Sequence, residues 1–261
     1  MNVEHRFSHQ RAQGEIVLGV ARRGLTRLRE AGAAKVRFPE GGGEAILINT
    51  GGGLAGGDRF SSAISVGAGA ALTVTTQAAE RTYRSLGPAA DVETRLEADA
   101  GACLMWLPQE MILFEGAALQ RRLEAEIAAS ARFLAVESLV FGRKAMGEAA
   151  RQVNLNDRWR IRRQGKLIFA EDLRIAGLRP ATLATLQGSD AMATVVLVAA
   201  DAERHLDAVR AFIGEAGGAS AWDGKLVARL LAKDGFELRK RLIPLLSALA
   251  GGSGLPKVWS M

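Results

Sequence analysis

The chain has 261 residues, 48% of them hydrophobic, enough for one continuous core and consistent with a single domain over 1–261. A net charge of +6 and a pI near 10.0 point to an acidic partner, protein or nucleic acid, and charge alone does not choose. The lone Cys103 excludes an intramolecular disulfide and reads as a small buried hydrophobe; the polar opening MNVEHRFSHQR and a longest apolar run of only Ala191 to Ala200 predict a cytoplasmic protein without a membrane span.

Gly14 to Arg37 reads as a strand, EIVLGV, then a basic segment with Arg22, Arg23, Arg27 and Arg29, then KVRF: edge strands with arginines toward water. Three further strands are predicted at Ala45–Thr50, Phe60–Val66 and Ala71–Thr76, with the glycines between them. Gly51, Gly53 and Gly56 have the spacing of a dinucleotide-binding loop, but such a loop needs a helix behind it to receive a pyrophosphate. A period-2 segment follows instead, so the glycines are read as turns, with Asp58 and Arg59 at the tip as candidates for a polar contact.

A weak repeat of about 30 residues runs on from there. GAALTVTTQ from Gly69, GACLMWLPQ from Gly101 and SARFLAVES from Ser130 align, each preceded by an alternating segment, FSSAISV, VETRLEA and LQRRLEAEI. Units that cannot bury a face alone must stack, so the fold class is mainly β, a β-helix-like stack of sheets; a β-sandwich with coincidentally similar hairpins is the alternative. A hairpin from Gln152 to Leu173 turns at Gln164-Gly165, with Trp159 and Ile161 on one face and Arg158, Arg160 and Arg162 on the other. With Arg163 and Lys166 this becomes the densest basic patch, open to three readings: a solvated face, a dock for an acidic protein, or an RNA-binding module.

After a last apolar strand, Ala193–Ala199, a small C-terminal helical part is predicted within 201–250. Asp201 is expected to cap its first run, and a second region from Lys225 to Leu249 is expected to break near Asp234-Gly235 and at Pro244. The apolar end at 255–261 is read as a tail that docks rather than frays.

The chain offers no nucleophile elbow and no S-x-x-K, and only three histidines, so a hydrolase working through a triad is not expected. His5 and His9 could seat a metal only on a helix, and a polar terminus gives little reason for one. Isolated carboxylates remain, namely Asp58, Glu110, Glu115, Glu137, Glu148, Glu171 and Asp172. Each must pair with an arginine such as Arg59, Arg84 or Arg143, face water, or line a wet path on which oxygen ligands hand a divalent cation along.

Five blocks then carry a resemblance: PEGGGEAILINTGGGLAGGDRF from Pro39, TTQAAERTYRS from Thr75, WLPQEMILFEGA from Trp106, FGRKAMGE from Phe141 and LPKVWSM from Leu255. Together they resemble the UreD (UreH) family of urease accessory proteins; Arg81, Lys257 and Val258 depart from the family's more usual residues without changing a charge. The resemblance implies a non-catalytic, nickel-delivery chaperone that binds apo-urease and a UreF-type partner, and through it a UreG-type GTPase. Nickel would be in transit rather than permanently bound. Gly56, Gly57 and Asp58 match the first block, Tyr83, Arg84 and Ser85 the second, Trp106, Pro108, Gln109 and Glu110 the third, and Gly142, Arg143, Gly147 and Glu148 the fourth. Asp58, Glu110, Glu148 and Glu171 are the expected nickel path, and the tail residues Leu255, Pro256, Val258 and Trp259, with the helices, the expected contact for the UreF-type partner.

Overall fold

Period-2 alternation governs most of the chain, and every alternating run in it becomes a strand. The structure, a computed structural model, describes residues 11–179, 186 and 188–259; His5 and His9 lie outside them. In order come β1 (Gln13–Ala21), β2 (Gly24–Gly32), β3 (Ala34–Arg37), β4 (Glu44–Asn49), β5 (Arg59–Val66), β6 (Ala71–Thr76) and β7 (Glu80–Thr82). There follow β8 (Ala90–Ala98), β9 (Cys103–Trp106), β10 (Met111–Leu113), β11 (Ala118–Ile127), β12 (Arg132–Phe141), β13 (Gln152–Arg163), β14 (Lys166–Leu178) and β15 (Ala191–Val198). The chain closes with α1 (Leu206–Ile213), β16 (Gly217–Trp222), β17 (Lys225–Ala232) and α2 (Gly235–Ala250).

These strands make two sheets. The first has the order β14-β13-β11-β8-β5-β1-β2 and the second β16-β17-β15-β12-β9-β6-β4-β3, with the short β7 and β10 beside β12. The repeat is visible as register. Val66, Ala98 and Ile127 sit abreast at the ends of parallel β5, β8 and β11, and Ala71, Cys103 and Arg132 sit abreast at the starts of β6, β9 and β12. Between sheets the chain crosses through three equivalent turns, in which the Ala70, Ala102 and Ala131 N–H groups donate to the carbonyls of Gly67, Asp99 and Ala128. Gly69 and Gly101 take a left-handed backbone at the third position, and in the last turn Ser130 uses its Oγ to accept from Gly101 N at 3.0 Å. The layers are thus a β-solenoid-like stack with a small C-terminal helical part, as the repeat predicts.

Three apolar clusters hold the layers. Between the sheets, Leu18, Ile64, Leu96 and Leu123 of the first face Val74, Leu104 and Phe133 of the second. Outside the second sheet, Leu238, Leu242, Leu245, Leu246 and Leu249 of α2 cover Leu134, Val195, Leu197 and Leu226. A third cluster joins Leu54, Leu113, Leu119, Phe141 and Leu155 at one end. Cys103 is half-buried and packs against the second cluster, and burial raises its thiol pKa.

The C-terminal expectations need correction. Residues from Lys225 to Ala232 are not helical but form β17, fully paired between β15 and β16, because long-range pairing with an all-buried neighbour overrides the local helical reading of LVARLLA. Helix α2 starts only at Gly235, where Asp234 Oδ1 accepts from Glu237 N at 2.9 Å, and Pro244 lies inside it without ending it. Asp201 makes no side-chain cap; its Oδ1 accepts from Arg132 Nη1 at 2.7 Å. No helix is long and apolar enough to cross a membrane among the described residues.

The tail docks on its own chain. Trp259 is buried, with Nε1 donating to Leu107 O at 3.0 Å and the Arg239 guanidinium 5.2 Å from the ring centroid; Pro256 is buried, while Leu255 and Val258 are half-buried. Trp259→Ala should therefore cost about 3–5 kcal/mol, seen as a lower urea midpoint with an unchanged far-ultraviolet spectrum; an unshifted midpoint would show that the tail contributes nothing to the fold.

Candidate functional site

The five sequence blocks, scattered along the chain, meet at one end of the stack. Asp58, buried in the glycine turn, accepts from Ala12 N at 2.8 Å and from Ala55 N at 2.7 Å, so it clamps the turn to the start of β1 rather than pairing with Arg59. A Cβ at Gly56 would lie 1.9 Å from Ser85 Oγ, and Tyr83 OH donates to Gly52 O at 2.9 Å: the first block is packed directly against the second. Tyr83 meets Phe114 edge to face, and the Arg143 guanidinium lies 4.3 Å from the centroid of the same ring, which brings in the third and fourth blocks. Gly142 supplies the left-handed turn there; a Cβ on it would meet Glu148 O at 2.4 Å. Glu148 is ion-paired with Arg143 and accepts from Glu115 N at 2.9 Å, and these bonds outweigh its desolvation and lower its pKa. Glu115 in turn accepts from Arg151 N at 2.6 Å. The fifth block joins through Trp259 on Leu107.

Beside this junction the sheets part around a cavity of about 300 Å³. Apolar side chains such as Ile16, Leu47, Leu54 and Phe60 line most of it, and its polar lining includes Asn49, Thr76, Glu80, Gln109, Arg121 and Glu137. Arg121 sits on β11 and is 4% exposed. It donates through Nε to Asp157 Oδ1 at 3.0 Å and through Nη2 to Asp157 Oδ2 at 2.6 Å, while Nη1 donates to Glu137. Arg121 and Asp157 are register partners on β11 and β13, and Glu137 comes from β12 in the opposite sheet. Trp106 Nε1 donates to the other oxygen of Glu137 at 2.8 Å. Burial lowers the Arg121 pKa, but Asp157 and Glu137 outweigh it and raise it, so the guanidinium stays charged. Burial raises the pKa of Glu137 against the pull of Arg121.

Two more groups complete the wall. Glu80 titrates above its ordinary 4.5 because of burial, opposed by a hydrogen bond that Asn49 Nδ2 donates at 3.2 Å. Gln109, 8% exposed, accepts from Arg239 Nη1 at 2.7 Å through Oε1, while its buried Nε2 has no protein partner. That orphan donor at a polar wall fits a solvated cavity.

The four carboxylates expected to form a path do not converge. Glu110 is ion-paired with Arg239 at 2.9 Å, Glu148 with Arg143, Glu171 with Arg229, and Asp58 is held by backbone N–H groups; none of them lines the cavity. Glu110 is flanked by the lining residues Gln109 and Met111, and the charge of Glu171 acts on Arg121, while its own pKa is raised by burial against the effect of Arg229. No group of three or more His, Cys, Asp or Glu is placed to hold a metal ion among the described residues. Arg121, Asp157 and Glu80 escape a reading that looks for isolated carboxylates. The available signal is parity: Arg121 shares the face of Leu119, Leu123 and Ala125, and Asp157 that of Leu155 and Trp159. A charged residue at a buried parity on two adjacent strands announces an internal ion pair. On the basic face, Asp172 lies 3.7 Å from Arg158 and accepts from Arg160 at 2.6 Å, while Arg163 donates to Asp223 O at 2.8 Å.

Two predictions test this site. Arg121→Met should cost about 3–5 kcal/mol by leaving two buried carboxylates uncompensated, and adding Glu137→Gln and Asp157→Leu should restore most of it in equilibrium denaturation. Glu80 ionises less readily folded than unfolded, so the folded chain holds the extra proton and stability falls as pH rises from 4.5 through the raised folded pKa. Glu80→Gln should remove that fall, matching the wild type at acid pH and exceeding it above the window; melting temperatures across pH check this.

Comparison with known proteins agrees with the block pattern. The UreD urease accessory protein family matches residues 11–260. The chain is 51% identical over 249 residues to "Urease accessory protein UreD" of Rhizobium etli, covering 91% of each chain. It is 49% identical over 263 residues to the protein of that name from Rhizobium rhizogenes, covering 97% of this chain and 96% of that one. It is 47% identical over 269 residues to "Urease accessory protein UreD 1" of Brucella melitensis biotype 1, covering 98% and 96%. With the five blocks assembled at one end of the stack and a match spanning nearly every described residue, the chain belongs to the UreD urease accessory protein family.

Proposed function

We propose that this protein is a non-catalytic, cytoplasmic chaperone that delivers nickel to apo-urease, binding the apoenzyme and a UreF-type partner that brings a UreG-type GTPase. Membership of the UreD family supports the accessory role, and the observation that carries the mechanistic part is the polar-walled cavity between the sheets. Nickel is cargo here, handed along oxygen ligands and not retained. Glu80 and Glu137 are the carboxylates that face the cavity, and Glu171 stands behind Arg121. Asp58, Glu110 and Glu148 would join a path only by releasing the partners they hold. Of the tail residues, Leu255 and Val258 are half-exposed enough to touch a UreF-type partner while the tail stays docked, whereas Pro256 and Trp259 would have to leave the core.

A raised carboxyl pKa suits a transfer role. A group that is easily protonated releases its cation more readily than one held ionised by fixed partners, and cation entry displaces a proton. The RNA-binding reading of the Arg158–Lys166 face has less support, because Asp172 and the Asp223 carbonyl already engage its arginines.

The test is co-expression of urease with the full accessory set, with and without this chain, measuring nickel content and urease activity. Both should fall when only this chain is missing. Glu80→Gln with Glu137→Gln should lower nickel loading by about tenfold or more while the accessory complex still co-purifies; full activation by that variant would remove the cavity from the mechanism.

A further inference from the structure

One edge of this molecule is strongly basic. Residues 22–37 contain Arg22, Arg23, Arg27, Arg29, Lys35 and Arg37 against a single acid, Glu30, a net +5 in a chain whose formal total is +6. Arg22 and Arg23 lie in the turn that enters β2, and the rest form β2 and β3, the terminal strands of the first and second sheets, joined through Ala33, so the open edges of both sheets lie on one side. Glu30 is turned inward, accepting from Val36 N at 2.5 Å and lying 4.0 Å from Lys35, and Arg29 is paired with Glu15 at 3.0 Å. No ion pair engages Arg22, Arg23 or Arg27 among the described residues.

Strand β2 is also unusually bare. Gly24 through Arg29 are exposed on both faces, Leu25 by 52% and Leu28 by 43%, and no strand lies beyond β2 in its sheet among the described residues. Arginines on an edge strand commonly guard against self-association. They explain why a second copy would not pair here, since arginine would face arginine, but they leave the two exposed leucines unexplained. An acidic strand meets no such barrier and would cover the leucines while satisfying the free backbone groups. RNA fits less well, because the segment from 22 to 37 has no aromatic residue on which a base could stack.

We propose that the β2 edge is a docking site for an acidic, extended segment of a partner protein, added to the first sheet as a further strand by backbone pairing and held by Arg22, Arg23 and Arg27. The site rests on edge geometry and charge and stands independently of nickel delivery.

The probe is a fluorescent decapeptide alternating glutamate and valine, titrated into the full chain and followed by anisotropy. Binding should weaken by on the order of tenfold in Arg23→Glu/Arg27→Glu, and to a similar extent when alternate peptide nitrogens are methylated, which removes backbone donors and keeps the charge. Both substituted side chains are exposed, so the variant should keep the wild-type melting temperature; if it does not, the N-methylated peptide on the wild-type chain decides alone. Failure of the acidic peptide to bind, equal binding of a lysine-valine peptide, or indifference to N-methylation would overturn the proposal. So would tighter binding of oligouridylate or phosphatidylglycerol vesicles to the same arginines, or a dimer in sedimentation that Arg23→Glu/Arg27→Glu abolishes. None of these readouts involves urease, so either result leaves the delivery reading to its own test.

Discussion

One buried guanidinium ties the two layers together. Arg121 and Asp157 belong to one sheet and Glu137 and Trp106 to the other, and every polar atom that Glu137 offers is taken by a donor from this set. Three ionisable groups in a core would each cost several kcal/mol if left alone. Together they satisfy one another, and the satisfaction depends on geometry from four strands at once. An apolar core of the same size would pack the sheets over a range of small offsets; the Arg121 guanidinium, fixed within its own sheet by the bidentate pair with Asp157, reaches Glu137 of the other sheet over a narrower range. The cluster therefore specifies how the sheets meet, and the cavity beside it inherits that precision.

The cavity lies beside this cluster, with Arg121 and Glu137 in its wall. Around it, side chains from the glycine turn, from β7 and from the segment between β9 and β10 are fixed by contacts elsewhere: Tyr83 on Gly52, Thr76 Oγ1 accepting from Gln109 N at 2.9 Å, and Gln109 on Arg239. The residues that make the family blocks recognisable are for the most part this framework. Gly56 leaves room for Ser85, Gly142 turns the chain left-handed beside Glu148, and Asp58 closes a turn. Their role is to hold blocks together, and it is why carboxylates lying in motifs are poor guides to the wall of the cavity.

The two ends of the molecule are built on different terms. At the C-terminal side, α2 and the tail seal the outer face of the second sheet with aliphatic side chains and Trp259, so this face is already covered. At the opposite edge, no strand lies beyond β2 among the described residues, and only Arg29 of its arginines is paired with an acid. The uncovered surface there is an edge with free hydrogen-bonding groups and an excess of positive charge.

Much of this was legible in the chain. Alternation and runs of branched residues marked most strands between Gln13 and Leu173, though not the three-residue β7 and β10; a repeat of about 30 residues indicated their stacking, and Gln164-Gly165 the hairpin turn, where both residues have positive φ. Local signals suffice for these features because side-chain period and turn chemistry act over a few residues. Lys225 to Ala232 was not legible, since an apolar run of eight suits helix or strand until a neighbour such as β15 is supplied. The five blocks determined the family; the sequence by itself could place a charge on a buried face, at Arg121 or Asp157, but not say what it would meet there. Only the tertiary structure decided that Glu137, from the other sheet and 16 residues away, completes the cluster, because an ion pair across a core depends on the relative position of two sheets, which no local pattern encodes.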